Sequence, residues 1–246
     1  MGDGDLSEQR LAGRVILVTG ASSGIGEGIA VALAAEGATV VAAARRVERI
    51  EALAARLGGS ALALDVLDER SIVRGIDRIR SLYGRLDGLV NNAGVLGRGA
   101  VGDADASGWR PSIATNLLGP MLVTHAALPL LKAASNAQIV NISSTASRSV
   151  SPGSAPYGAA KAGINAFSES LRKELVPDGI RVTVILPGLV ETEFYSHVAD
   201  DVRRPWMKEI VPLRPSDVGN AIAFVMVQPP HVSINELMIR PTGQIG

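Results

Sequence analysis

The chain has 246 residues, enough for an α/β domain to bury a core without a disulfide or a structural metal. It contains no cysteine, which excludes thiol catalysis, thiolate metal ligands and a disulfide scaffold, and fits a reducing compartment. Twenty-four Lys and Arg balance 24 Asp and Glu, so no net positive field exists to draw nucleic acid or an anionic membrane.

Residues 1–10 are polar and acidic, without the apolar run of a secretory signal, and are expected to form a loose tail. Residues 11–246 are expected to form one domain. An apolar strand is predicted over 15–19. It runs into Thr19-Gly20-Ala21-Ser22-Ser23-Gly24-Ile25-Gly26, which opens a helix over 25–36 that stops at Gly37. Glycines in a strand-to-helix turn let a ligand approach the backbone, and a helix start offers free N–H groups and partial positive charge. That combination suits a pyrophosphate, with Gly20, Ser22, Ser23, Gly24, Ile25 and Gly26 as the contact residues.

The next strand, over 39–43, leads to Ala44 and then Arg45 and Arg46. An NAD enzyme usually carries an acidic side chain there, on the ribose 2′-hydroxyl. Alanine followed by two guanidiniums points instead to a 2′-phosphate, with Arg45 as the principal contact and Arg46 as its helper. The pattern continues with a helix over 47–57 ended by Gly58, a strand over 61–65, a helix over 69–83 ended by Gly84, and a strand over 88–91.

A long apolar helix is predicted over 109–134. Its stretch 113–131 comes nearest to a membrane span, but it holds Asn116, Gly119, His125 and two prolines, and reads as a buried helix. A strand over 137–143 leads to Ser143 and Ser144. A helix over 157–176 then opens with Tyr157 and carries Lys161 four residues on, hence on the same face. A free phenol titrates near pH ~10. A fixed cation beside it favours the phenolate and makes the group a usable acid or base. Ser144, thirteen residues before Tyr157, can hold a carbonyl or alcohol oxygen next to it.

A strand over 181–186 is followed by 191–214, the least patterned stretch, with Phe194, Tyr195 and Trp206. A long irregular segment in a compact domain is expected to be a lid or binding loop, and His197 within it is a candidate substrate contact. A helix over 215–228 and a strand over 236–240 complete the alternation. Mostly continuous apolar runs separated by helices specify a Rossmann-type, doubly wound α/β sheet of about seven mainly parallel strands, covered by helices on both faces. The three histidines show no metal-ligand spacing, and His125 reads as a core or interface residue.

Taken together, these elements resemble the short-chain dehydrogenase/reductase family over about residues 11–240. The matching residues are the 19–26 glycine motif, Asp65 and Val66 at the end of the third strand, Asn91-Asn92-Ala93-Gly94, Asn116, Ser144, Tyr157 with Lys161, and Pro187-Gly188 with Val190 and Thr192. The resemblance implies hydride transfer between a nicotinamide and a carbonyl or alcohol carbon. It implies Tyr157 as general acid/base, Ser144 orienting the substrate oxygen, and Lys161 lowering the tyrosine pKa and binding the nicotinamide ribose. Asn116 would hold a water that links Lys161 to solvent. Asp65, Val66, Asn92, Val190 and Thr192 would border the cofactor. The spacing to Tyr157 favours Ser144 over its neighbour Ser143. The ending Arg240-Pro241-Thr242-Gly243 resembles that of an NADP-dependent subgroup that includes clavaldehyde-type and hydroxy-amino-acid dehydrogenases.

The expected cofactor is NADP(H), without a metal, and the expected location is cytoplasmic. The expected partners are a small carbonyl or alcohol substrate and further copies of the chain in a tetramer or dimer, with no nucleic acid and no membrane. Two other classes are weighed on the same fold type. A non-catalytic dinucleotide sensor predicts a broken tyrosine–lysine pair, and a methyltransferase gives no reason for Ser144, Tyr157 and Lys161 to occur together.

Overall fold

The computed structural model describes residues 9–97, 100–102, 105–193 and 210–245. Seven strands form one sheet: β1 (Val15–Thr19), β2 (Thr39–Ala44), β3 (Ser60–Ala63), β4 (Gly88–Asn91), β5 (Gln138–Ile142), β6 (Arg181–Pro187) and β7 (Glu236–Ile239), in the order β3-β2-β1-β4-β5-β6-β7. Every pairing is parallel, as the continuous apolar runs require.

The period-2 alternation of the strands divides the interior into two cores. Ile16, Val18, Val40, Val90 and Val140 face one of them. There they meet α1 (Gly24–Ala35), α2 (Val47–Leu57) and α7 (Pro215–Met226). Leu17, Val41, Leu89 and Ile139 face the other, against α3 (Glu69–Tyr83), α5 (Gly119–Lys132) and α6 (Ala155–Glu174). Helices α2 and α3 stop at Gly58 and Gly84, which take the left-handed conformation at φ 65° and 72° and donate N–H to the carbonyls of Ala54 and Arg80.

The long helix predicted over 109–134 is broken. It consists of α4 (Trp109–Ile113), a π-helical turn at Ala114–Leu118, and α5. Inside the turn, the Asn116 side chain donates to the Ser112 carbonyl at 2.8 Å and the Val95 carbonyl at 2.7 Å. An amide inserted in this way competes with the backbone ladder and accounts for the extra residue.

The stretch Ala106–Lys132 is long and apolar enough to cross a membrane by composition, yet here it packs on the sheet, with 39% of its most apolar window buried. It is therefore buried on one face, through Val123, Ala127, Leu130 and Leu131, and not all round. His125 lies on the exposed face, which corrects the core alternative of its core-or-interface reading.

A chain of buried side-chain hydrogen bonds sets α5 and α6 against the sheet. Asn91 donates to Thr124 at 2.9 Å and to Asn141 at 2.8 Å, and Asn141 donates to Ser168 at 2.8 Å. Removing one member would strand a buried partner, at a cost of about 1–3 kcal/mol.

Arg10, the last residue of the expected tail, is bonded to Glu36 at 3.0 and 2.7 Å. Residues 1–8, and 194–209 of the expected lid with His197, lie outside the described residues.

Candidate active site

The strand order reverses between β1 and β4, so their carboxyl ends open a crevice where an α/β sheet binds ligands. A cleft of about 430 Å³ runs along this edge. Among the described residues, the structure brings to it the catalytic and cofactor residues expected from the sequence: Gly20, Ser22, Ser23, Gly24, Ile25, Gly26, Arg45, Arg46, Asp65, Val66, Asn92, Asn116, Ser144, Tyr157, Lys161, Val190 and Thr192.

Gly20 and Gly26 leave no room for a side chain. A Cβ on Gly26 would lie 2.3 Å from the Gly20 carbonyl oxygen and 2.5 Å from Asn92 Nδ2, and one on Gly20 would lie 2.8 Å from Ala93 Cα. Asn92 donates to the carbonyls of Thr19 at 2.9 Å and Gly20 at 3.3 Å. Thr19 Oγ1 accepts from the backbone of Asn92 and Ala93 at 3.0 and 3.2 Å. These bonds tie the ends of β1 and β4 together beneath the loop. Ser23, at the N-cap of α1, makes no side-chain cap bond. The first N–H groups of the helix therefore face the cleft with the positive end of the helix dipole, a cradle suited to a pyrophosphate.

At one end of the cleft, Arg46 reaches back over the loop. It donates to Ser22 Oγ at 3.0 Å and to Ser23 Oγ. It also pairs with Glu193 at 3.0 Å, and Arg49 pairs with the same carboxylate at 3.0 Å. Arg45 lines the cleft as an exposed side chain. Asp65 accepts from the Leu67 N–H, two residues on, at 3.0 Å.

At the other end, Lys161 is 4% exposed. Its Nζ donates to the Ile142 carbonyl at 2.7 Å and lies 5.7 Å from the centroid of the Tyr157 ring. Ser143 donates its hydroxyl to the Lys161 carbonyl at 3.1 Å. Ser144 Oγ accepts from the Ala146 N–H at 3.1 Å, and its own proton goes to no described residue. Asn116 Oδ1 is buried and meets no donor among the described residues. It points toward the same corner, since a Cβ on Gly94 would lie 2.8 Å from it and 3.9 Å from Lys161 Nζ.

Burial lowers the Lys161 pKa from 10.5 to about 7. The unfolded chain keeps that proton up to the ordinary lysine range. Between these values the unfolded state binds more protons, and the stability of the ligand-free protein rises with pH. Lys161→Met should remove this slope. The variant-minus-wild-type difference in thermal midpoint should be largest below about pH 7 and shrink toward the lysine range. A difference independent of pH would show that burial does not penalise the ammonium.

Two residues of the site escape sequence reasoning. Glu193 forms ion pairs with both Arg46 and Arg49. Gln244, beyond the last strand, accepts from the Leu189 N–H at 2.8 Å, and a Cβ on Gly188 would lie 2.2 Å from its Oε1. Gln244 thus braces the Pro187-Gly188 turn that lines the cleft. Neither residue belongs to a local motif, and both contacts cross long stretches of chain.

The family model described as "short chain dehydrogenase" matches residues 14–203. The chain belongs to the short-chain dehydrogenase family. Its curated relatives include sulfoacetaldehyde reductase 2 of Chromohalobacter salexigens, 37% identical over 242 residues, covering 94% of this chain and 95% of that protein. An uncharacterised oxidoreductase of Mycobacterium tuberculosis is 43% identical, over 94% of this chain and 92% of its own length. Among solved structures, the closed form of a serine dehydrogenase complexed with NADP+ superposes with TM-score 0.88 at 36% identity, covering 94% of this chain and 96% of that one. An alcohol dehydrogenase from the archaeon Thermococcus sibiricus complexed with 5-hydroxy-NADP gives 0.84 at 28%, covering 95% and 98%. As a short-chain dehydrogenase the chain is an oxidoreductase that works with a nicotinamide dinucleotide, and the sensor and methyltransferase readings receive no support.

Proposed function

We propose that this short-chain dehydrogenase is an NADP(H)-dependent enzyme interconverting a small polar carbonyl compound and its alcohol, with Tyr157 as general acid/base. The observation that carries the reading is one cleft with two ends: Arg46 held on Ser22 and Ser23 beside Ala44 at one, and Ser144, Tyr157 and Lys161 at the other. The glycine cradle, the start of α1 and the inward-facing Asn116 Oδ1 fit a dinucleotide lying between them. Both structural neighbours carry NADP-type cofactors, which supports a 2′-phosphate at the Arg46 end.

When bound, the nicotinamide supplies or receives the hydride. Ser144 Oγ, with one lone pair taken by the Ala146 N–H, offers its proton as a hydrogen bond to the substrate oxygen. Ser143 has no such freedom, because its proton goes to Lys161 O, and this favours Ser144 for the role. In reduction Tyr157 Oη gives a proton to that oxygen; in oxidation it takes one away. The Lys161 ammonium beside the ring stabilises the phenolate left behind. Its Nζ spends one N–H on Ile142 O, which fixes its position and leaves two further donors. Asn116, held in the π turn, presents Oδ1 to the same corner. Asp65, Val66, Val190 and Thr192 border the bound dinucleotide.

Aromatic residues make up only 3% of the chain, which argues against a large stacked substrate. Two relatives point the same way, one named for sulfoacetaldehyde and one for serine, both small and polar. The test is turnover of NADPH with sulfoacetaldehyde and short aliphatic aldehydes, and of NADP+ with serine and related hydroxy acids. Selective turnover of the small polar compounds is the expected result, and preference for long or aromatic carbonyls overturns the substrate class. The half-exposed apolar face of α5, with Leu118 at its start, supports a symmetric dimer or tetramer, to be read by light scattering.

A further inference from the structure

Arg46 and Arg49 already hold an anion, and it belongs to the protein. The Glu193 carboxylate takes Arg46 Nη1 on one oxygen at 3.0 Å and Arg49 Nη1 on the other at 3.0 Å. The same Arg46 donates through Nε to Ser22 at 3.0 Å and through Nη2 to Ser23. Ser22, Ser23, Arg46 and Glu193 all line the cofactor cleft. One guanidinium therefore joins the glycine loop, the segment after β2 and the segment after β6. All three meet where Ala44 leaves no side-chain carboxylate at the end of β2.

We propose that Glu193 is a cofactor-specificity residue: its carboxylate occupies the 2′-phosphate site of the ligand-free enzyme, and NADP(H) must displace it from Arg46. The inference rests on the NADP(H) reading above. Both groups are anions seeking the same fork of N–H donors, so they compete for Arg46 and repel one another. Magnitude favours the phosphate. The Arg46–Glu193 pair is half exposed, 44% and 56% on the two side chains, and exposed ion pairs contribute little. A phosphomonoester brings nearly two charges and three acceptor oxygens to the same place. An unphosphorylated ribose carries no anion to drive the exchange. With NAD(H) the carboxylate keeps Arg46, and nothing is gained from the basic side chains. Glu193 thus lowers affinity for the phosphorylated cofactor somewhat and leaves that for NAD(H) as it is.

Calorimetric titration of the full chain with NADPH, NADH and adenosine 2′,5′-bisphosphate at one ionic strength tests this, because the terms are screened by salt. In Glu193→Gln, NADPH and the bisphosphate should bind about threefold tighter, the scale of one exposed ion pair, with NADH unchanged. In the Arg46→Ala background the same substitution should have a much smaller effect. Weaker NADPH binding by Glu193→Gln would show that the carboxylate positions the arginines rather than competing for them, and would overturn the proposal. So would equal gains for NADPH and NADH, which a general change of charge produces, or no change for any ligand. A wild type that binds NADH as tightly as NADPH would overturn the underlying cofactor reading, whatever the variant does. Glu193 is exposed, so thermal midpoints of the variants should match the wild type and keep the affinities comparable.

Discussion

Tyr157→Phe should lower turnover of any accepted carbonyl substrate by about 10²–10⁴, the usual contribution of a positioned acid or base, while NADPH affinity stays within about twofold. The substitution deletes one oxygen and keeps the ring. The half-buried packing at the start of α6 and the Lys161 contact on the ring face should therefore survive, with little change in thermal midpoint. Ser144 remains to polarise the substrate oxygen, but a serine hydroxyl cannot replace the phenol as a proton source at neutral pH. A tyrosine that only packed or only bound substrate would change KM and leave kcat. The decisive measurement is single-turnover reduction with saturating NADPH, which separates chemistry from cofactor binding and release. A rate within a few-fold of the wild type would remove Tyr157 from the proton-transfer role.

How much of this was legible beforehand depends on the range of the interactions involved. Strands such as Val15–Thr19 are buried on both faces, so their apolar runs announce a parallel sheet without ambiguity. The glycine loop and the Tyr157–Lys161 pair are local, governed by spacings within one turn and one helix. The π turn at Asn116 was not legible, because periodicity over 109–134 continues across it. What breaks the ladder is a side chain finding the Val95 carbonyl, 21 residues back in the chain. The sequence puts Arg45 first and Arg46 as its helper, whereas in the structure it is Arg46 that reaches the Ser22 and Ser23 hydroxyls, a contact across more than twenty residues that adjacency in the chain does not reveal. Glu193 and Gln244 act across 147 and 55 residues, beyond any motif.

Ala44→Asp should reverse cofactor preference. In the wild type the end of β2 presents a methyl group, 8% exposed, next to Arg45 and Arg46. A 2′-phosphate meets no carboxylate there and gains charge-assisted hydrogen bonds, each contributing roughly 1.5–3 kcal/mol. An aspartate would act three ways at once. It would repel the phosphate, it would draw the guanidiniums away from it, and it would accept a hydrogen bond from the 2′-hydroxyl of NADH. Loss of one phosphate contact alone is worth about tenfold or more. With repulsion added, kcat/KM for NADPH should fall by about 100-fold while that for NADH rises. Arg46→Ala should lower NADPH use by about tenfold and leave NADH nearly unaffected; Arg45→Ala should do the same to a smaller extent, since its side chain is exposed and not tied to the loop. Because Ala44 also belongs to the core beneath α1, the melting temperature of Ala44→Asp has to be read alongside. A stable variant that still prefers NADPH, together with an Arg46→Ala enzyme that keeps full NADPH efficiency, would mean that the basic side chains serve only the ion pairs with Glu193 and that the 2′-phosphate is read elsewhere.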